Sequence, residues 1–425
     1  MKKIKSWLLD VDEKNIIKRS TFWNLIASLL NSFMTAILLF FVTWINGVNK
    51  AGMFTIASAF AYQCLSLGSF GVRNYHASDV KYEYSYSEYF YLRIISGVLM
   101  YSLLLWYTFG QGYTLEKSLI VLAFGIFKSA DAFEDLIHGE FQRCNRLDLG
   151  CILQSFRYLV SIIAFVITLL LTTNIIISCI IVSITTFAIL IICNKPIIKK
   201  YFSKKKIFNK KKVKKLFFIC LPICLGNAVN MYIVNCPKYT IDSVMASRFQ
   251  TYFGILAMPV FIINLLSTVI YRPYVKSLGD NWQDKKYLNF FKLVLRQIAI
   301  ILVLTTLVVA FGYVIGLKIM GIIYGVKLNI YMLAFILLLI GGGLNSLASY
   351  FSVVLTAARA QNKLFIGYAI TFIAGILISI PLVKEYGISG ASYLYCILNL
   401  ITVVLFAIFI FVRYRQDKRR SLKNG

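Results

Sequence analysis

The chain has 425 residues, a formal net charge of +28 from 45 basic and 17 acidic side chains, and 59% hydrophobic residues. That pairing excludes an ordinary soluble domain, and it excludes a nucleic-acid binder, because the basic groups lie between long apolar runs and not across a polar face. Eleven of the lysines crowd into one stretch, Lys195–Lys215.

A bilayer core takes roughly 20 mostly apolar residues per helix, and only helices or closed barrels satisfy the backbone there. Strand-like alternation is absent. The sequence begins with a basic, partly amphipathic tail, residues 1–19, with no small-residue cleavage site after it, so the first apolar run is expected to be retained. Twelve spans are predicted, near 20–46, 51–71, 90–109, 117–137, 149–172, 174–193, 216–235, 250–270, 297–315, 330–354, 364–382 and 388–412. The expected fold is an all-α integral membrane protein with two pseudo-symmetric six-helix bundles, residues 20–194 and 216–412. Residues 195–215 form the basic linker between them, and 413–425 a basic tail.

Cationic loops stay on the cytoplasmic side. With both termini inside, 36 basic residues fall in inside segments and seven in outside loops, leaving Lys128 and Arg157 within spans. Shifting the frame by one helix would put the lysine-rich linker outside. Anionic headgroups account for the basic loops, so membrane lipids are expected partners and nucleic acid is not.

The fourth span carries Lys128, Asp131, Glu134 and Asp135. A charge at mid-bilayer costs about 2.5–3.5 kcal/mol on the lenient insertion scale, so such groups should face a partner or a watery cavity. At about 100° per residue, Lys128, Asp131 and Asp135 share one sector and Glu134 points to another. Arg157 in the fifth span enters from the same side to a similar depth, where a hairpin would set it near Asp131. A structural ion pair and a substrate-contacting groove fit this pattern equally. In the second case Asp131 neutralises one of two cations and a positive charge remains for an anion. Further candidates are Arg73 and Arg93, with Asp79, in a tyrosine-rich inside loop. Lys238 and Asp242 are placed in the outside connection after the seventh span, and Arg272 where Pro273 stops the eighth.

No phosphate-binding loop for ATP occurs. His76 and His138 sit on inside loops, and no Cys/His cluster has metal spacing, so neither metal nor cofactor is expected. The short outside loops offer only Glu116, Asp242 and Glu385 as carboxylates, which argues against a glycosyl-transfer enzyme with an external active site. Two fragments repeat across the halves, Asn145–Gly150 and Asn362–Gly367, each entering a helix from a short inside loop, as expected of a transporter whose halves rock about a central site.

Taken together, Arg73–Asp79, Leu92-Arg93, Lys128–Asp131 through Gln142–Asp148, Pro237–Asp242 and Tyr252–Pro273 resemble the polysaccharide flippase family of Wzx type, the lipopolysaccharide or O-antigen transporters. That family belongs to the superfamily that also includes multidrug and toxin extruders. The resemblance implies export of an undecaprenyl-diphosphate-linked oligosaccharide by alternating access in the bacterial cytoplasmic membrane. It also implies an ion gradient (H+ or Na+) as driving force and polysaccharide polymerases as partners. The alternative on the same fold is an ion-coupled extruder of organic cations. The first span has no Asp or Glu, where many such extruders carry an Asp, and this lowers that alternative.

Overall fold

A computed structural model describes residues 13–79, 83–201 and 209–423. Most of the N-tail and the centre of the lysine-rich linker, 202–208, therefore lie outside the described residues. No strand occurs among those described. The helices are α1 (Glu13–Ser69), α2 (Val72–Ser78), α3 (Tyr86–Gly110), α4 (Leu115–Arg143), α5 (Leu147–Thr172), α6 (Ile175–Tyr201) and α7 (Lys210–Val244). They continue as α8 (Ser247–Leu256), α9 (Val260–Tyr271), α10 (Val275–Gln283), α11 (Tyr287–Phe311), α12 (Leu317–Tyr324), α13 (Met332–Ala357) and α14 (Gln361–Lys423).

Nine helical segments among the described residues are long and apolar enough to cross a membrane, which makes this a multi-pass membrane protein. Two of them greatly exceed one crossing: Lys18–Ser69 has 52 residues and Asn362–Arg419 has 58. At 1.5 Å per residue each is more than twice the roughly 30 Å hydrocarbon thickness. Each breaks at one glycine in a conformation that side-chain-bearing residues avoid, Gly47 with φ 77° and Gly387 with φ 57°. Helix α4, expected as the fourth span, is not among the nine because its charges interrupt the apolar run. Large apolar side chains stand exposed along the helices, Trp106 at 73% and Leu171 at 80% for example, a surface suited to lipid tails.

The described residues divide into two compact units between Ala228 and Val229, inside α7. In the first, α1 packs against α4 and α5, and α6 against both of these. In the second, α13 packs against α14, α9 and α11 around Tyr350, Phe290, Val354 and Phe406.

One turn recurs in both units. After α4, Asn145 adopts φ 55°, with backbone bonds from Cys144 to Glu140, Arg146 to Phe141 and Leu149 to Arg146. After α13, Arg359 adopts φ 53°, with bonds from Ala358 to Val354, Ala360 to Leu355 and Lys363 to Ala360. The two turns match with Asn145 opposite Arg359. The sequence match, which set Asn145 opposite Asn362, is therefore three residues out of register, and the shared Asn does not occupy equivalent backbone positions.

Candidate functional site

Among the charged groups of the first unit, three hold residues singled out in the sequence; besides them, Asp148 binds both Arg19 and Arg146, and Lys50 pairs with Glu116. The deepest is built on α4 and α5. Lys128 Nζ donates to Asp131 Oδ2 at 2.8 Å and stands 4.6 Å from the centre of the Tyr62 ring. Arg157 Nη2 reaches both Asp131 Oδ1 and Glu134 Oε2 at 2.6 Å, while its Nε donates to Glu134 Oε1 at 2.9 Å. Gln154 Nε2 completes the shell on Glu134 at 2.8 Å. Lys128 is fully buried, and Arg157 and Glu134 nearly so.

This geometry corrects the sequence expectation. Lys128, Asp131 and Arg157 do come together, but Glu134 joins them, so two basic side chains meet two acidic ones and their formal charges balance. The sector argument assumed that α4 has one polar face and one buried face. Helix α4 is buried on nearly every side, so a carboxylate pointing to another sector still meets α5, and a bidentate guanidinium can bridge both. Gln154, one turn before Tyr158 on α5, was also missed. A Gln within an apolar span was the signal available. One donor of the group is unused: Arg157 Nη1 is buried without a hydrogen-bond partner among the described residues.

The second group joins α2, α3 and α4. Asp135 takes Arg93 Nη2 at 3.2 Å on one oxygen and Arg73 Nη1 at 3.6 Å on the other. Arg93 also donates to the Gly68 carbonyl, which Ser96 Oγ shares at 2.7 Å. Arg93 was expected in a loop, but it lies on α3 and is wholly buried, held by the last turn of α1. Arg73 lies on α2, and its side chain keeps 31% of its exposure, with 23% for Asp135. Two guanidiniums against one carboxylate leave one positive charge, carried at the accessible end by Arg73.

The third group ties α2 to the end of α4. His76 Nε2 and Glu140 Oε2 are 2.6 Å apart, and Arg143 Nη2 binds the same oxygen at 2.5 Å. Arg143 Nη1 lies 3.6 Å from Asp79, which also accepts from the Tyr89 hydroxyl at 3.0 Å and the backbone N–H groups of Glu83 and Tyr84. The His76 ring stacks on Tyr89 with centroids 3.9 Å apart. Burial pulls the imidazole below its ordinary range against the pull of the Glu140 hydrogen bond. Both histidines are buried on helices, not on loops. A Cβ on Gly139 would stand 2.7 Å from His76 Nδ1, and one on Gly150 2.9 Å from His138.

In the second unit, Lys238 and Asp242 do not open a loop. Helix α7 runs past Pro237 to Val244, so both sit within it, one turn apart, each half-buried. Arg272 falls where expected, after the last residue of α9, and Pro273 turns the chain through a short 3-10 segment into α10. No group of three or more His, Cys, Asp or Glu among the described residues has the arrangement of a metal site.

No family model matches the chain. Solved structures do resemble it closely. An outward-facing MATE family multidrug transporter of the MOP superfamily aligns with TM-score 0.64 and 14% identity over 97% of this chain and 98% of that one. A Vibrio cholerae MATE transporter, VcmN, aligns with TM-score 0.62 and 13% identity over 96% and 97%. A Pyrococcus furiosus MOP transporter, described as having a binding pocket of reversed polarity, gives TM-score 0.64 and 13% identity over 96% and 97%. The chain thus shares the fold of these MATE and MOP-superfamily structures. Among curated proteins it is similar to the capsular polysaccharide biosynthesis protein CapF of Staphylococcus aureus, 20% identical over 398 residues, 90% of this chain and 96% of CapF.

Proposed function

We propose that the protein is a flippase that moves undecaprenyl-diphosphate-linked oligosaccharide repeat units across the bacterial cytoplasmic membrane by alternating access, for assembly of a surface polysaccharide. The observation that carries this reading is the surplus positive charge of Arg73, Arg93 and Asp135, with the Arg73 side chain about a third exposed. A diphosphate is drawn to such a group, and an organic cation is repelled by it. The similarity to a capsular polysaccharide protein supports the same substrate class. Lys128, Asp131, Glu134 and Arg157 then form the scaffold that fixes α4 against α5 behind the site. The unused Arg157 donor is available to a phosphate oxygen if that group opens.

The reading includes twelve crossings: the nine apolar segments, a second crossing in each glycine-broken helix, and α4. Both termini and the lysine-rich linker belong on the cytoplasmic side, and transport is driven by H+ or Na+. Several solved neighbours are multidrug transporters, which favours a second reading, an ion-coupled extruder of organic cations. The absence of any carboxylate from Lys18–Ser69 speaks against it.

Gene deletion separates the two. A flippase leaves the cell without surface polysaccharide and with the lipid-linked unit accumulating on the inner leaflet. Normal surface polysaccharide in a strain with no other flippase, together with a rise in sensitivity to cationic dyes, would establish the extruder instead.

A further inference from the structure

Three fully buried side chains of the second unit carry polar atoms without a hydrogen-bond partner among the described residues. They are Ser267 Oγ on α9, both Nε2 and Oε1 of Gln297 on α11, and the Tyr350 hydroxyl on α13. The contacts around them set all three at one level. Helices α9 and α13 run side by side in the same direction, since Ser346 Oγ donates to Asn264 Oδ1 at 2.6 Å and the Tyr271 ring packs on that of Tyr350 with centroids 5.3 Å apart. Ser267 falls between those two contacts. Helix α11 runs the opposite way: a Cβ on Gly312 would meet Leu339 and Phe335, and one on Gly343 would meet Thr305. From that second contact, Gln297 and Tyr350 each lie about two turns on, roughly 10–12 Å along their helices. Val294 and Ile301, which flank Gln297 on its own helix face, belong to the same packed core as Tyr271 and Tyr350.

Buried polar groups find a protein partner or ordered water, so an amide with both ends unanswered in a closed core calls for an occupant. About one turn away the same pair α9 and α13 shows the self-sufficient solution, where Asn264 Oδ1 takes both Asn345 Nδ2 at 3.2 Å and Ser346 Oγ at 2.6 Å. At the level of Gln297 the groups stand beyond hydrogen-bonding reach of one another. Their occupant must both donate and accept. A bare cation has no acceptor for Gln297 Nε2, and a bare anion has no donor for Gln297 Oε1. Water has both, and these side chains supply the roughly 2–4 partners that a buried water takes. Bulk water stands close by, because Tyr271 also lines an open cavity of about 580 Å3 walled by α9, α10 and α13. We infer that ordered water joins Ser267, Gln297 and Tyr350, so that α9 and α11 are held to α13 through exchangeable hydrogen bonds and not through a dry contact. The inference goes beyond the transport reading and does not depend on what is carried.

The test is hydroxyl-radical labelling of the full-length protein in detergent, with the radicals generated by synchrotron X-rays. Radicals born from a bound water oxidise the side chain beside it, whereas side chains of a dry core are spared. Tyr350 of the wild type is expected to be oxidised, while Phe290 and Phe406, as deeply buried in the same core, are not. In Gln297→Met, which keeps the volume and removes the amide, labelling of Tyr350 should fall to the level of those two rings. Ser267→Ala deletes a single oxygen, serves if the first variant does not fold, and should lower the labelling as well. A wild-type Tyr350 as unreactive as Phe290 overturns the assignment, and so does undiminished labelling in either variant. Labelling that disappears when sodium chloride replaces choline chloride would give the space to a cation and overturn it equally.

Discussion

Two charged groups of the first unit lie on the same helix, α4, and differ in everything that decides their roles. The Lys128–Asp131–Glu134–Arg157 group is closed: two positive and two negative charges, nearly all buried, with most polar atoms satisfied. The Arg73–Arg93–Asp135 group is open: two positive charges share one carboxylate, and a third of Arg73 remains exposed. A balanced buried network holds helices together and has little field left for a ligand. An unbalanced one at a partly exposed position attracts an anion. Depth in the membrane, the criterion available from the sequence, selects the first group. Charge balance together with exposure selects the second, since Arg19 and Arg146 share Asp148 in the same two-to-one ratio but are more deeply buried.

The largest effect that would test this contrast is on stability. Arg157→Ala leaves Asp131 and Glu134 buried against a single lysine, and breaking a buried pair from one side costs about 3–5 kcal/mol. The variant should therefore be largely lost from the membrane, or melt far below the wild type in detergent by fluorescence-detected size exclusion. An Arg157→Ala protein that is stable but inactive would move the substrate contact back to the closed group.

Arg73→Ala should do the reverse. Its side chain is about a third exposed, so stability should change by about 0.5 kcal/mol or less, while surface polysaccharide falls at least about tenfold at matched membrane levels, as one charged hydrogen-bond partner is removed. Arg73→Lys should retain an intermediate level, because the charge persists without the bidentate fork.

The smallest effect belongs to the third group, which is buried like the first but can titrate. The folded state keeps His76 neutral, whereas an unfolded histidine takes a proton near pH 6.5. The stability it contributes is complete above about pH 6.5 and is lost as pH falls from there toward the lowered folded value. Between about pH 7 and pH 5.5 the melting temperature of the wild type should fall further than that of His76→Gln. Parallel curves would mean that His76 is already charged against Glu140 in the folded protein.

The membrane character of the chain was legible because hydrocarbon thickness dictates the length of apolar runs, and the glycine breaks at Gly47 and Gly387 fall in the short outside connections expected between spans. The hairpin of Arg157 and Asp131 was legible from depth alone. The place of Glu134 was not, since helical angle separates faces only when one face is wet, and α4 has almost no wet face. Arg93 was misjudged because its partners, the Gly68 carbonyl and Asp135, come from two other helices. Lys238 and Asp242 were assigned to the outside connection because the seventh apolar run was ended near residue 235, yet the helix continues to Val244. The repeat was found in the right turn but three residues out of register, because residue identity was matched where backbone conformation is what recurs.

The central claim, that the surplus charge beside Asp135 receives the anionic headgroup, is tested most directly by changing that surplus in both directions. Pyrophosphate binding to the purified protein should be measured by titration calorimetry for the wild type, Arg73→Ala and Asp135→Asn. Removing Arg73 takes the surplus to zero, and binding should weaken about tenfold; neutralising Asp135 doubles the surplus, and binding should tighten. Equal affinities in all three, or weakening in both variants, would contradict the account.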